Sequence, residues 1–220
     1  DAFQHRYVKP SLSILLIDIN RPLHLDSLLP AGRLREPARN ANRADIVIIT
    51  KCDESTTVHE GKFYTTLNYG RLTPLLPCPA AVKIEDLEMI SREDFAILLI
   101  TGIANPSLLI KYLNQFTGNL QTLTYPDHHR FTKRDFLQME RRFGAIRHKG
   151  IVVTTEKDAA RLINHPQLPA WLAQYIYVLP VEVKFLSEEQ EQLFIYKIEQ
   201  HVRQNQGNGI LAAPSNPRRD

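Results

Sequence analysis

Short apolar runs, each followed by a stretch with helical spacing, recur along this chain, and that alternation constrains the fold more than any other feature. SILLIDI (13–19) and DIVIIT (45–50) are near-continuous apolar strands, the pattern expected of parallel strands covered on both faces. Between them EPARNANRA (36–44) predicts a short helix, with Pro37 suited to its first turn because it has no N–H to leave unpaired. A second series begins at FAILLIT (95–101), continues through a helix opened by Asn105 and Pro106, LQTLTY (120–125) and a helix from about Thr132, and ends with GIVVTT (150–155) leading into EKDAARLI. The fold class predicted is α/β, with mainly parallel sheets in two lobes.

Two stretches fit neither series. KFYTTLNYGRLTPLL (62–76) and YIYVLPVEVKF (175–185) are rich in Tyr, Thr and Val and lack helical spacing, so they predict a two-stranded β ribbon that crosses between the lobes. The expected division is residues 1–61 in a first lobe, the ribbon hinge at 62–76 and 175–185, and residues 77–174 in a second lobe. A C-terminal helix over 186–203 and a disordered tail over 204–220 complete it.

Composition narrows the class of protein. A hydrophobic fraction of 43% and a charged fraction of 23% are those of an ordinary globular chain, and a net charge of +3 gives no sign of a nucleic-acid partner. No apolar run approaches the ~20 residues of a bilayer span. The two cysteines, Cys52 and Cys78, have no metal-ligand spacing and suit a reducing compartment.

In open parallel sheets, ligands sit beyond the carboxyl ends of the strands. Three groups fall there. In LLPAGRLREP (28–37), Arg33 and Arg35 offer planar forks of donors to phosphate, and Glu36 offers an oxygen ligand to Mg²⁺. The plainer alternative has Glu36 capping a helix whose arginines face solvent. In YPDHHRFT (125–132), Asp127, His128 and His129 are candidates to bind metal or move protons. Adjacent histidines on regular structure cannot both point the same way, so one of the pair is the functional candidate. The alternative is a polar loop ahead of a helix capped by Thr132 and Asp135. In TTEKDAARL (154–162), Thr155 and Asp158 fit another capping box, and Lys157 is a weaker phosphate candidate. TKCD (50–53), at a strand end, places Lys51 where nucleotide-binding proteins read a base. The phosphate-cradling loop G-x-x-x-x-G-K-S/T does not occur in these residues.

Taken in order, DAFQHR, LLPAGRLREP, RADIVIITK, TGIANP, YPDHHRFT, IVVTTEKDAARL and YVLPVEVKF resemble the signature blocks of the tetraacyldisaccharide 4'-kinase family of lipid A biosynthesis. The resemblance covers the chain to about residue 202. It implies an ATP-dependent kinase that phosphorylates the 4' hydroxyl of a tetraacyldisaccharide 1-phosphate at the cytoplasmic face of the bacterial inner membrane. It also implies a first lobe that is part of a P-loop kinase domain, and peripheral contact with the membrane surface. The family pattern D-D-G/A-F-Q-H is entered here at its second aspartate, so the resemblance implies a C-terminal fragment whose phosphate loop, catalytic aspartate and membrane helix lie upstream.

The same resemblance assigns Asp1 and Glu36 to Mg²⁺, and Arg33, Arg35, Lys51, Gln4 and His5 to the ATP side of the site. It gives Asp127 and one of His128 and His129 a catalytic part, the histidine orienting an aspartate base when the ribbon hinge closes. Two other classes remain open on the residues alone: a metal-dependent phosphoesterase built on the Asp-His-His loop, and a non-catalytic module that binds a nucleotide or partner. A polypeptide of these 220 residues alone is expected to move no γ-phosphoryl from [γ-³²P]ATP to tetraacyldisaccharide 1-phosphate. Turnover above background in that assay contradicts the expectation.

Overall fold

Aliphatic runs become strands here wherever helices cover both of their faces, and a computed structural model of the chain shows where that condition is met. It describes residues 3, 7, 10–53, 55–77, 84 and 86–209. In chain order the strands are β1 (Ile14–Asp18), β2 (Ile46–Thr50), β3 (Phe63–Tyr69), β4 (Thr73–Pro74), β5 (Ala96–Thr101), β6 (Leu120–Thr124), β7 (Gly150–Thr155), β8 (Ile176–Leu179) and β9 (Val181–Phe185). The helices are α1 (Leu87–Arg92), α2 (Ser107–Leu113), α3 (Lys133–Gly144), α4 (Glu156–Leu162), α5 (Ala170–Ala173) and α6 (Glu188–Gly209). The fold is α/β with mostly parallel sheets, as the alternation predicts. Two compact units partition it, one spanning Tyr69–Glu182 and the other the chain up to Asn68 with that from Val183 onward.

The Tyr69–Glu182 unit is built on a five-stranded sheet of order β4-β8-β7-β5-β6. Alternate residues of β5 feed opposite layers. Leu98 and Ile100 pack with Phe136, Met139 and Phe143 of α3 and with Leu162 and Leu172, while Ile97 and Leu99 pack with Leu87 and Ile90 of α1 and Leu109 and Leu113 of α2. All six residues of β5 are buried, which explains why its sequence carries no polar alternation. After β5 the chain leaves toward the α1–α2 layer, whereas α3 and α4, after β6 and β7, lie on the other. The switch point of the sheet therefore falls between β5 and β7, at their carboxyl ends.

Local sequence sets the helix starts. Thr132 and Asp135 form the capping box that opens α3, and Thr155 Oγ1 accepts the Asp158 N–H at the start of α4. The start of α2 differs by one residue from its expected place. Asn105 Oδ1 accepts the Ser107 N–H, and Pro106 is the last residue before the helix.

The other unit has a four-stranded sheet of order β1-β2-β3-β9, with β1, β2 and β3 parallel. Ile46, Ile48 and Phe63 pack on Phe194 and Ile198 of α6 and on Phe185. Two expectations are corrected here and one is made specific. The strand at 13–19 is not buried: Leu16, paired in register with Ile48, is 63% exposed, because Phe194 and Ile198 of α6 pack on Ile46, Ile48 and Phe63 of β2 and β3 and that cluster does not include Leu16. The short helix expected over 36–44 is present as a 3₁₀ helix at Ala38–Arg43, closed by i to i+3 bonds such as Asn40 N–H to Pro37 O. None of its six residues is buried, so it lacks the packed apolar face that stabilises most protein α-helices. The C-terminal helix runs on to Gly209, past the expected end at 203. Residues 210–220 lie outside the described residues.

Strands β3 and β9 are neighbours in the β1-β2-β3-β9 order, β4 and β8 pair antiparallel, and the Gly70 N–H donates to Pro180 O. Phe143 and Leu137 lie on opposite faces of α3, one fully buried and the other exposed. Phe143→Ala is therefore expected to cost about 3–5 kcal/mol in urea unfolding, against under about 0.5 kcal/mol for Leu137→Ala.

Candidate functional site

The crevice between the ends of β5 and β7 is filled by one carboxylate. Asp158, in the first turn of α4, has no exposed surface. Its Oδ2 accepts the Gly102 N–H at 2.8 Å and the Thr155 hydroxyl at 2.8 Å, and Arg161 Nη1 lies 3.3 Å from Oδ1. Of the capping box read from the sequence only the Thr155 half forms, and the Asp158 carboxylate is instead a long-range tie, joining the start of α4 to the end of β5. Gly102 gives the close fit its room: a Cβ there would lie tight, 3.1 Å from Asp158 Oδ1 and 3.2 Å from Pro126 O. The loop after β6 passes directly over it.

That loop carries Asp127, His128 and His129, and it gives the two histidines opposite tasks. His129 faces inward, its ring stacked on Tyr125 with centroids 4.6 Å apart. Its Nε2 donates to Asp135 Oδ2 at 2.9 Å, the same oxygen that takes the Thr132 N–H and hydroxyl. Burial acts to raise the Asp135 carboxyl, but the hydrogen bonds from His129 and Thr132 outweigh it and hold the group below its ordinary value. Burial also pushes the Tyr125 phenol up to about 12.

His128 faces outward, its side chain 76% exposed. Its backbone φ of 61° is in the left-handed region, which aims its ring away from that of its neighbour. Nδ1 lies 3.2 Å from Arg161 Nη2. Asp127 is paired with Lys157 Nζ at 2.5 Å, and that hydrogen bond holds its carboxyl below its ordinary value. Lys157 and Arg161, one helical turn apart on α4, thus grip two successive loop residues. This arrangement can present one imidazole and hold it in place. Lys157 is occupied with Asp127 rather than lying open to a phosphate.

The remaining candidates lie in the other unit. Arg33 and Arg35 are exposed, and among the described residues neither guanidinium enters an ion pair. Their loop is closed by Asp26 Oδ1, which accepts the N–H groups of Ser27 and Arg33, and by the Gly32 N–H to Leu28 O bond. A Cβ on Gly32 would sit 2.2 Å from Ser27 O, so only glycine fits there. Glu36 holds Arg43 at 2.6 Å and Asn40 at 2.9 Å. Lys51, at a φ of 63°, pairs with Asp18 at 2.5 Å beyond the ends of β2 and β1. Beside this pair the sheet face carrying Ile17, Ile19, Val47, Ile49 and Tyr64 lines a mainly apolar cavity of about 780 Å³. Asp1, Gln4 and His5 lie outside the described residues.

Sequence reasoning singled out the loop residues but not the partners that fix them. Asp18, Asp26 and Arg161 were visible only as ordinary charges, since each acts on a group far away in sequence or on a main-chain atom, and Asp158 was visible only as a helix cap. The capping pattern was the one signal pointing to Asp158. Among the described residues no group of three or more His, Cys, Asp or Glu side chains could hold a metal ion, and no helix is long and apolar enough to cross a membrane.

The profile of one family, tetraacyldisaccharide-1-P 4'-kinase, matches residues 1–201. A tetraacyldisaccharide 4'-kinase of Bacteroides fragilis is 44% identical over 96% of this chain and 60% of its own length. One of Phocaeicola vulgatus is 43% identical over 94% of the chain and 60% of its own length. One of Cytophaga hutchinsonii is 33% identical over 88% and 55%. The chain spans about 60% of the length of the first two relatives. No solved structure matches.

The depressed Asp135 carboxyl has a pH consequence. Its contribution to stability is present above its unfolded value of 3.8 and is lost as pH falls through the lower folded value. Thermal midpoints measured from pH 7 to pH 2 should therefore fall less steeply below pH 3.8 for Asp135→Asn than for the parent chain.

Proposed function

Since the chain belongs to the tetraacyldisaccharide-1-P 4'-kinase family, we propose that the protein passes the γ-phosphoryl of ATP to the 4' hydroxyl of a tetraacyldisaccharide 1-phosphate in lipid A biosynthesis. The reaction is set at the cytoplasmic face of the bacterial inner membrane, where such a glycolipid would be met. The observation that carries this reading is the profile match across residues 1–201, supported by a histidine presented over the switch point of a parallel sheet.

Phosphoryl transfer asks a protein for positioning and charge neutralisation more than for covalent chemistry. Arg33 and Arg35, exposed on a loop that Gly32 and Asp26 hold closed, suit the phosphate oxygens of ATP or the 1-phosphate of the acceptor. Lys51, steadied by Asp18, belongs on the nucleotide side with Gln4 and His5. His128 is the histidine for the acceptor: its Nε2–H would donate to the carboxylate base that takes the hydroxyl proton. Asp127 and Lys157 brace that ring's loop, and His129 serves the loop's packing. A divalent cation such as Mg²⁺ would neutralise phosphate charge when bound. Of the two carboxylates assigned to it, Asp1 lies outside the described residues and Glu36 holds Arg43 and Asn40. The described residues therefore do not by themselves fit the ion, and no step is routed through it. The β3–β9 and β4–β8 pairings are read as the two-stranded ribbon joining two α/β/α lobes.

The test uses the protein as its gene encodes it, with [γ-³²P]ATP and tetraacyldisaccharide 1-phosphate. His128→Ala is expected to lower kcat by about 100-fold or more. His129→Ala is expected to lower thermal stability, with activity falling only as the folded fraction falls. Undiminished turnover in His128→Ala would remove the loop from the chemistry.

A further inference from the structure

Arg161 lies between a fully buried carboxylate and an exposed imidazole, and it can only donate to both. Nη1 is 3.3 Å from Asp158 Oδ1 and Nη2 is 3.2 Å from His128 Nδ1. A guanidinium carries five N–H donors, accepts nothing and stays charged at any working pH. The nitrogen facing Nη2 must therefore be the lone-pair nitrogen of the ring, which leaves the proton of a neutral His128 on Nε2. The far side of the ring agrees: Nε2 lies 3.6 Å from Asp127 Oδ2, and a carboxylate there favours an N–H over a lone pair.

The backbone makes this hold necessary. A non-glycine residue in the left-handed region has a conformational cost, and an exposed side chain there has rotamers to choose among. Asp127 Oδ1 accepts the His128 N–H at 2.9 Å and Lys157 fixes Asp127. Those contacts place the main chain but leave the ring free to turn over. Asp158 is anchored by Gly102 and Thr155, so the guanidinium bound to it starts from the most fixed point of the crevice.

We propose that Arg161 is a positioning residue that holds His128 in the Nε2–H tautomer, with Asp158 as its anchor. The proposal rests on the reading of His128 as the histidine that orients a carboxylate base. Donation to a carboxylate requires an N–H at a defined place, and a ring free to exchange tautomers would offer it only part of the time.

The experiment is long-range ¹H–¹⁵N correlation spectroscopy on the gene's full product labelled with [¹⁵N]histidine, the His128 signals being assigned by their loss in His128→Ala. The parent protein should show the Nε2–H pattern for His128, and Arg161→Met should average its two nitrogens toward a mixture. Because Arg161→Met leaves the buried Asp158 charge without its cation, the paired change Asp158→Asn with Arg161→Met removes both charges and should give the same averaging in a folded protein. In both variants kcat should fall about 10-fold with the KM for ATP changed less than about 2-fold, the signature of lost orientation rather than lost binding. A parent ring protonated at Nδ1, or a tautomer unmoved by either variant, overturns the proposal. Turnover undiminished in His128→Ala overturns the kinase role of that ring instead, and the tautomer measurement still decides the part played by Arg161.

Discussion

A carboxylate with no exposed surface holds the Tyr69–Glu182 unit together at its most demanding point. Asp158 joins the end of β5 to the start of α4 through the Gly102 N–H and the Thr155 hydroxyl. The sheet switch point would otherwise be a cleft with unpaired main-chain donors. Hydrogen bonds to a buried charge are the strong kind, and leaving one partner unmatched costs more than the pair contributes. Once the cleft is filled, the loop after β6 can lie flat across Gly102, and every position from Pro126 to His129 follows from that seat.

The loop then resolves the ambiguity of two adjacent histidines by chain geometry. His129 continues the packing of Tyr125 and Phe131 and braces the first turn of α3 through Asp135. His128, turned outward by a positive φ, is the one that can meet a ligand. Two cations one turn apart on α4 reach the loop from below. The Asp-His-His loop and the TTEKDAARL stretch, read separately in sequence, prove to be a single assembly of side chains.

Legibility followed the range of the interactions. β5 and β7 were plain because full burial on two faces leaves an uninterrupted aliphatic run, and the start of α3 was plain because a capping box is four residues long. The short helix at Ala38–Arg43 was legible from Pro37 and the alanines, but not its 3₁₀ form, because none of its residues is buried and packing is what favours the wider α period. β1 was misread because an apolar run records what a strand could bury, and burial depends on what covers it. Of the site, the residue types were legible and their roles were not. Nothing in TTEKDAARL announces a bond to Gly102, and nothing in LLPAGRLREP announces that Asp26 closes it.

The edge formed by β1 has a practical meaning for anyone preparing a polypeptide of these 220 residues alone. Leu16 at 63% exposure and Ile14 at 40% lie on the end strand of the β1-β2-β3-β9 order. Such an edge offers a second molecule both a ladder of main-chain bonds and a greasy strip to seal it. Salting-out anions strengthen that sealing. Sulfate precipitants and high concentration would therefore drive such polypeptides to stack edge to edge, whereas dilute solutions with mild chaotropes would keep them dispersed.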